Sequence, residues 1–344
     1  MAARTRRPSR RWARDSHCSK GLIAMNVQVL FHDSCFDGAA SAAVFSRFYR
    51  ERIRPDAAFR YLGLNHKPGA EGIDPAVFSG EENVIVDFRY SQDARLTWWF
   101  DHHASAFQQP GDEAHFRADT SGRKFHDAHR KSCTKYLADV ARERFGWDAS
   151  PLAELIHWAE IIDGAQFPSP QMAVALEEPA LRIMTVLEAN KDPSLIPEVI
   201  RRMQSESLAD IATSPLIAAP LAPLLARHQS NIELVRARAR YERGVVFFDL
   251  VDEGVDSLNK FIAYALYPDA RYTLWVGKGA SRAKVSIGSN PWKPELRRHD
   301  LSAIAGRYGG GGHPVVAAVS FKADQADKAR AAYAEILAEL SSDA

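Results

Sequence analysis

Three short apolar runs in the first third of this 344-residue chain end directly in histidine or aspartate. The runs are residues 27–31, 84–86 and 98–100, and they lead into His32, Asp87 and the tripeptide Asp101-His102-His103. Runs of this length and composition predict buried β-strands. Because ligands of open α/β sheets bind beyond the carboxyl ends of the strands, we expect these polar side chains to converge at one sheet edge.

Strand-like and helix-like segments alternate through the first half of the chain, which predicts an α/β fold with a doubly wound, largely parallel sheet. From residue 151 the apolar spacing becomes helical, and mixed strand and helix patterns return near residue 244. We therefore expect a smaller α/β C-terminal domain that faces the first domain across a cleft. The predicted organisation is a basic, disordered extension (1–25), a first domain with a helical layer (26–220), a helical connector (221–243) and the second domain (244–344).

Charge is concentrated at the N-terminus, where the first twenty residues carry a net charge of +6 in a chain whose total is +1. Such an arm can hold nucleic-acid phosphates, but we favour a disordered extension or a translation start at Met25. The rest of the chain is mildly acidic, which argues against binding to long duplexes. No secretory signal or membrane-spanning run is visible in the sequence, so we expect a cytoplasmic protein.

The three cysteines, Cys18, Cys35 and Cys133, are far apart and form no CxxC pair. This spacing argues against a disulfide framework and against a structural zinc site.

Two more carboxylates extend the predicted site. Asp37 lies between the first strand and a helix predicted to open near residue 39, and Asp163 follows a helix predicted at 152–162. A mixed set of imidazoles and carboxylates suits Mn²⁺, Mg²⁺ or iron better than thiol-selecting ions. One carboxylate shared by two ions is the usual bridge of hydrolytic two-metal sites.

The order and spacing of these motifs resemble the DHH phosphoesterases that carry a DHH-associated C-terminal domain, a family that includes oligoribonucleases and pAp phosphatases. The resemblance covers about residues 26–322. It is carried by five features: the run from His32 to Ala42 with Asp37-Gly38 inside it, Val86-Asp87, Asp101-His102-His103, Asp163, and Gly310-Gly311-Gly312-His313.

The resemblance implies a role for each of these residues. His32 and Asp87 would hold one metal, and Asp37, the bridging Asp87, His102 and Asp163 would hold the other. Asp101 would orient His102, and His103 would face the scissile phosphate. In the second domain, Gly310, Gly311, Gly312 and His313 would contact a nucleotide phosphate across the cleft.

The chain departs from the family pattern at two positions. Cys35 stands where the first loop commonly carries an aspartate, so Cys35 is a thiolate ligand, Asp33 or water substitutes for the aspartate, or the first metal site is weak. A further alternative is that Cys35 only packs in the interior. Gly288 stands where many relatives place a substrate-gripping arginine, and the candidates to replace it are Ser289 and Asn290, together with Lys293, Arg297 and Arg298. Trp292 either stacks a base or packs on its own domain.

The expected activity is metal-dependent hydrolysis, by a metal-activated water, of a short oligonucleotide or a small phosphorylated nucleotide, such as an exonuclease performs. The expected cofactor is one or two ions of Mn²⁺ or Mg²⁺. The expected partners are a small nucleotide or a short single-stranded nucleic acid, with no membrane, and a homodimer is compatible with the sequence. Two alternatives stay open: hydrolysis of a phosphoanhydride such as pyrophosphate or polyphosphate, and a catalytically weakened nucleotide-binding module.

Overall fold

The computed structural model describes residues 25–65 and 72–342. The predicted basic extension therefore lies outside the described residues, apart from Met25. Within the described part, no helix is both long enough and apolar enough to cross a membrane.

The first domain is built on a five-stranded sheet in which every pair of neighbouring strands is parallel. Its strand order is β2-β1-β3-β4-β5. The strands are β1 (Asn26–His32), β2 (Ala58–Leu64), β3 (Glu82–Val86), β4 (Leu96–Asp101) and β5 (Lys124–His126). The three strands that the sequence pattern singled out, β1, β3 and β4, are neighbours, so their carboxyl ends meet at one edge. The predicted parallel α/β fold is confirmed.

Helices cover one face of this sheet. The helical layer on this side consists of α1 (Phe36–Arg52), α3 (Cys133–Phe145), α4 (Ala153–Asp163), α5 (Pro170–Ala175), α6 (Pro179–Ala189), α7 (Leu195–Met203), α8 (Leu208–Thr213) and α9 (Pro215–Arg238). Within the described residues, the short helix α2 (Asp112–Ala118) and neighbouring loops cover the other face, where Leu30, Ile85 and Trp99 form a smaller apolar cluster. Successive side chains of a strand point to opposite faces, so Phe31, Val86 and Phe100 belong to the larger core on the helical side.

Two helices begin earlier than the sequence indicates. The helix predicted to open near residue 39 begins at Phe36, because Cys35 already has the extended backbone of an N-cap residue and Asp37 stabilises the first turn. The predicted connector, 221–243, contains the larger part of α9, which begins earlier, at Pro215, and ends at Arg238.

The second domain contains a six-stranded mixed sheet in the order β10-β11-β9-β8-β7-β6. The strands are β6 (Arg240–Glu242), β7 (Val245–Leu250), β8 (Tyr272–Lys278), β9 (Arg282–Ser289), β10 (Gly311–His313) and β11 (Val316–Lys322). The helices are α10 (Ile262–Leu266), α11 (Leu301–Gly306) and α12 (Ala326–Ser342). Of the strand pairs, β7 and β8 are parallel and the others are antiparallel.

An apolar cluster joins the two domains. Phe167 and Leu181 from the helical layer pack with Phe248 and Trp275 of the second sheet in one buried group. The indole of Trp292 packs against this group and donates a hydrogen bond to the carbonyl of Phe167 (2.7 Å). Phe167 lies four residues after Asp163, so the second domain contacts the chain close to the predicted metal ligands.

Candidate metal centre

Asp87 lies at the centre of the residues that the strand ends bring together. It follows β3 directly, its side chain is fully buried, and its backbone φ is +57°. An aspartate in this left-handed region is strained, and such strain is concentrated at functional sites. The backbone N–H of Asp87 donates to the carbonyl of Phe100 (2.9 Å), which ties the turn after β3 to the neighbouring strand.

The start of α1 delivers two groups to the same edge. Cys35 is the N-cap residue and Asp37 lies in the first turn. Gly38 allows the close approach, since a Cβ at this position would lie 2.2 Å from the carbonyl oxygen of His32. The helix can therefore begin directly against the end of β1.

The Asp37 carboxylate also accepts hydrogen bonds from the beginning of α3. Its two oxygens accept from the backbone N–H groups of Cys133 (2.7 Å) and Thr134 (3.1 Å). These are donors that a helix leaves without partners at its N-terminus, and an anion there is stabilised by the helix dipole. Asp37 thus connects α1 to α3 while one of its oxygens faces His102.

The His102 imidazole is held by a backbone carbonyl and faces three carboxylates. Its Nδ1 lies 3.1 Å from the carbonyl oxygen of Arg130, and because a carbonyl can only accept, this nitrogen carries the hydrogen. Its Nε2 lies 3.2 Å from Asp163, 3.4 Å from Asp87 and 3.8 Å from Asp37. In the neutral imidazole, Nε2 would carry the lone pair that a metal requires.

The carboxylate of Asp101 holds His103, not the ring of His102. Its Oδ1 lies 2.7 Å from Nδ1 of His103 and accepts from the backbone N–H of His102 at 2.8 Å. The resemblance implied that Asp101 orients His102; in the structure Asp101 contacts the backbone of His102, and the Arg130 carbonyl contacts the ring. The His103 side chain is 35% exposed, so it is the more accessible imidazole of the pair.

His32 and Cys35 lie on the other side of Asp87. Nδ1 of His32 is 3.5 Å and Sγ of Cys35 is 3.6 Å from Oδ2 of Asp87. The Asp33 carboxylate instead accepts hydrogen bonds from Asn65 (3.1 Å) and the Ser34 backbone (2.9 Å). Asp33 therefore does not take the place of the missing aspartate, whereas the Cys35 sulfur is directed into the cluster.

The ionisation of these groups reflects a concentration of negative charge. Burial and the charge of Asp87 raise the pKa of Asp37, and burial together with Asp87 and Asp37 raises that of the Cys35 thiol. Burial acts to lower the pKa of His102, but contact with Asp87 and the charges of Asp37 and Asp163 outweigh it and raise the pKa to about 10. The pocket thus favours positive charge at its centre.

A divalent cation fits this arrangement. Asp87 Oδ1 and His102 Nε2 are buried, and neither makes a hydrogen bond of good geometry within the described residues although they lie 3.4 Å apart, as expected of atoms arranged around a cation. Three groups have ligand atoms within 4.8 Å of one another: His32-Cys35-Asp87, Asp87-His102-His103 and Asp37-His102-Asp163. The first and the third have no residue in common and form two donor sets, and the second connects them. Because Asp87 also reaches His102, it can contribute one oxygen to each set.

Three residues that the sequence analysis considered for substrate contact in the second domain make contacts within the protein. The Asn290 side chain is 2% exposed, donates to the carbonyls of Pro268 and Ala270, and accepts from the backbone of Trp292. Its amide is thus used to hold the loop, so the predicted substrate role of Asn290 would require it to give up contacts within the protein. The Ser289 hydroxyl donates to the carbonyl of Val315 (3.0 Å), so it could donate to a phosphate oxygen only by giving up this bond. The Trp292 ring packs in the interdomain cluster.

The glycine run before His313 forms a tight strand pair. A Cβ on Gly310 would lie 2.3 Å from the carbonyl oxygen of Ala318, so this glycine is required by packing between β10 and β11. A Cβ on Gly311, in contrast, would meet open space. Both Gly311 and His313 are exposed, so this end of the run is accessible to a ligand.

Sequence reasoning missed the backbone groups that position the site. The carbonyl of Arg130 and the amides of Cys133 and Thr134 come from one segment, at the start of α3. The available signal was Ser132, a typical N-cap residue whose hydroxyl accepts from Lys135. It marks a helix start but does not indicate which distant side chain that helix will bind.

No protein-family model matches the chain, and no curated protein matches it. Solved structures do share its fold. The pGpG-specific phosphodiesterase PggH from Vibrio cholerae is 18% identical, with a TM-score of 0.64 over 91% of this chain and 99% of that one. An exopolyphosphatase-related protein from Bacteroides fragilis is 13% identical, with a TM-score of 0.55 over 92% and 94%. The exonuclease RecJ bound to manganese is 15% identical, with a TM-score of 0.52 over 90% and 89%. The likeness spans both domains of this chain.

Proposed function

We propose that this chain, which has the fold of the DHH superfamily, is a divalent-metal-dependent phosphoesterase that hydrolyses short oligonucleotides or small phosphorylated nucleotides. The observation that carries this proposal is the pair of donor sets that share Asp87 at the carboxyl edge of the sheet. The named activities of two proteins with this fold, a pGpG-specific phosphodiesterase and an exonuclease bound to manganese, support it.

Each of the two donor sets would hold one ion. His32, Cys35 and Asp87 would hold one, while Asp37, His102, Asp163 and the second oxygen of Asp87 would hold the other. The preferred ion is Mn²⁺ or Mg²⁺, in keeping with the predominance of oxygen and imidazole donors. A bound divalent ion supplies polarisation of the phosphate and a lower pKa for the attacking water.

His103 would contact the substrate. Burial acts to lower its pKa, but the hydrogen bond that its Nδ1 donates to Asp101 and the charges of Asp101 and Asp87 outweigh burial and raise the pKa to about 9. With Nδ1 held by Asp101, the ring can direct Nε2–H toward a phosphate oxygen. A fixed cationic donor of this kind stabilises charge that develops on a phosphoryl group.

Phosphoanhydride hydrolysis is the second candidate, because an exopolyphosphatase-related protein also has this fold. A screen with added Mn²⁺ distinguishes the candidates: pGpG, pApA, pAp, a short RNA and a cyclic dinucleotide are compared with pyrophosphate and polyphosphate. We expect turnover of at least one linear nucleotide substrate. Turnover of the nucleotide-free substrates alone would favour the phosphoanhydride hydrolase. Nucleotide binding without any turnover would favour a weakened binding module.

We expect Mn²⁺ to stabilise the protein, since a ligand that binds only the folded state at 100 times its Kd adds about 2.7 kcal/mol to the free energy of unfolding. The affinity should rise with pH, because a metal must displace the proton that His102 holds in the metal-free pocket. Thermal unfolding with Mn²⁺ or with EDTA, at pH 6.5 and 8.5, measures both effects. An unfolding midpoint that does not respond to Mn²⁺ at either pH would contradict the metal assignment.

We expect His313→Ala to raise KM by about tenfold, the loss of one charge-assisted contact, while leaving the Kd for Mn²⁺ unchanged. The reason is that His313 belongs to the second domain and all the proposed ligands belong to the first. The matched control is His157→Ala, which removes an exposed imidazole from the surface of α4. Equal shifts in KM and in the metal Kd would show that the two domains do not divide substrate binding from metal binding.

A further inference from the structure

A second polar cavity lies between α1, β2 and α7, away from the carboxylate cluster. Its volume is about 590 Å³. It is lined by Arg47, Arg50, Glu51, Phe59, Tyr61, Arg201, Gln204 and Ser205. At a rise of about 1.5 Å per residue, Arg47 and Arg50 lie roughly 15–20 Å along α1 from Asp37. No residue of the proposed metal centre lines this cavity.

The cavity carries an excess of positive charge, because three arginines and one carboxylate line it. Arg47 is neutralised by Glu51 (2.9 Å) and fixed by the carbonyl of Gln204 (2.8 Å). Arg50 donates to the amide oxygen of Gln204 (3.1 Å) and forms no ion pair with any described residue. A guanidinium that faces a cavity without a counter-charge can bind an anion at little cost in lost contacts.

Arg201 is the second guanidinium that can bind a ligand. It pairs with Glu198 at 2.8 Å, but the two side chains are 54% and 48% exposed. Ion pairs between such exposed groups contribute little to stability. Arg201 can therefore exchange this carboxylate for a phosphate.

Two aromatic rings hold the guanidinium groups in place. Phe59 and Tyr61 project from the same face of β2 with their rings nearly parallel (14°) and their centroids 6.4 Å apart. The guanidinium carbon of Arg50 lies 5.1 Å from the Phe59 centroid, and that of Arg201 lies 5.9 Å from the Tyr61 centroid. Contacts of this kind attract a guanidinium to the ring face and leave its N–H groups available to an oxyanion.

The polar side chains that line the cavity, Tyr61 and Gln204, are also held by hydrogen bonds. The Tyr61 hydroxyl donates to Ser46 (3.0 Å) and accepts from the amide of Gln204 (3.1 Å). The Gln204 amide also donates to the carbonyl of Ile200 (3.2 Å), which places its oxygen toward Arg50. The recognition groups are thus held before any ligand arrives, which lowers the entropic cost of binding.

We propose that this cavity is a second binding site, distinct from the metal centre, and that it takes a nucleoside phosphate. Arg50 and Arg201 bind the phosphate, and the aromatic wall with Ser205 contacts the sugar and base. A volume near 590 Å³ lies within the range of small-molecule sites, roughly 300–1,000 Å³, and exceeds what a lone phosphate fills.

The test is calorimetric titration of 5′-GMP, 5′-AMP and inorganic phosphate into the Asp87→Asn protein in EDTA, which prevents turnover and metal-assisted binding. We expect a nucleotide site whose Kd rises at least tenfold in Arg50→Ala and in Arg201→Ala. The control is Arg60→Ala, which removes an exposed arginine from the opposite face of β2 and should not change the Kd. Inorganic phosphate should bind more weakly than either nucleotide.

Each alternative result would overturn the proposal. If both arginine variants bind nucleotide with an unchanged Kd, the ligand binds elsewhere. If the protein binds no nucleotide even at low salt, the proposed site does not exist. If inorganic phosphate binds with the same Kd as 5′-GMP, the cavity is a site for anions and does not recognise a nucleoside. Thermal unfolding verifies the fold of each variant. If Arg50→Ala is unstable, Arg50→Lys keeps the charge, removes the planar fork, and should still weaken nucleotide binding.

Discussion

Asp87→Asn is expected to lower kcat/KM by about 10³-fold or more on whichever nucleotide the protein hydrolyses, a loss of about 4 kcal/mol of transition-state stabilisation. The carboxylate lies between the two sets and turns a different oxygen to each: Oδ2 is 3.5 Å from His32 and Oδ1 is 3.4 Å from His102. An asparagine keeps the shape but offers one neutral oxygen, so it cannot bridge two cations. Metal content measured on the purified variant should fall together with the rate.

The matched control is Asp112→Asn, because Asp112 is also a buried aspartate, at 2% exposed, but lies outside the cluster. Its carboxylate accepts from the backbone of Gln108 and Gln109 at 3.1 and 2.8 Å, so this variant should lose stability and keep its specific activity. Near-normal turnover by Asp87→Asn with added Mn²⁺ would refute the assignment of Asp87 as the central ligand. Loss of turnover in both variants would point to a general cost of removing buried carboxylates.

The convergence of β1, β3 and β4 could be predicted from the sequence, because it depends on local patterns. Apolar runs of strand length specify buried strands, and the topology of a parallel sheet brings their carboxyl ends to one edge. The side chains that follow these runs, such as Asp87 and His102, meet there whatever the detailed packing is. The position of a polar residue directly after a predicted strand was therefore enough to predict that it belongs to the candidate site.

The contacts that orient the site could not be predicted in the same way. The Arg130 carbonyl reaches the His102 ring, and the Thr134 amide reaches Asp37, only because α3 begins at this edge of the sheet. Every residue carries the same backbone groups, so the sequence does not show which carbonyl or amide will contact a site residue. Asn290 shows the same limit: it was a candidate to replace the arginine absent at Gly288, but its amide bonds the carbonyls of Pro268 and Ala270 and the backbone of Trp292, which no local pattern indicates.

Cys35 is the one proposed ligand whose chemistry differs from that of its neighbours. Its sulfur points to Asp87, 3.6 Å from Oδ2, although burial and the adjacent carboxylates raise the pKa of the thiol. The sulfur therefore keeps its proton in the metal-free protein, and a cation must displace this proton to bind. A thiolate donor shifts preference away from Mg²⁺ and toward softer ions such as Co²⁺ or Zn²⁺.

Cys35→Asp is consequently expected to raise the Mg²⁺-supported rate by about tenfold relative to the rate with Co²⁺, since it replaces a soft donor with a hard one at the same position. Cys35→Ser is the matched control of similar size, and it should lower metal content because a neutral hydroxyl is a weak ligand. Cobalt adds a direct readout: the wild-type protein should show a thiolate-to-cobalt charge-transfer band that both variants lack. Unchanged metal content, ion preference and rate in both variants, without such a band in the wild type, would show that Cys35 is a packing residue beside a site completed by His32 and Asp87 alone.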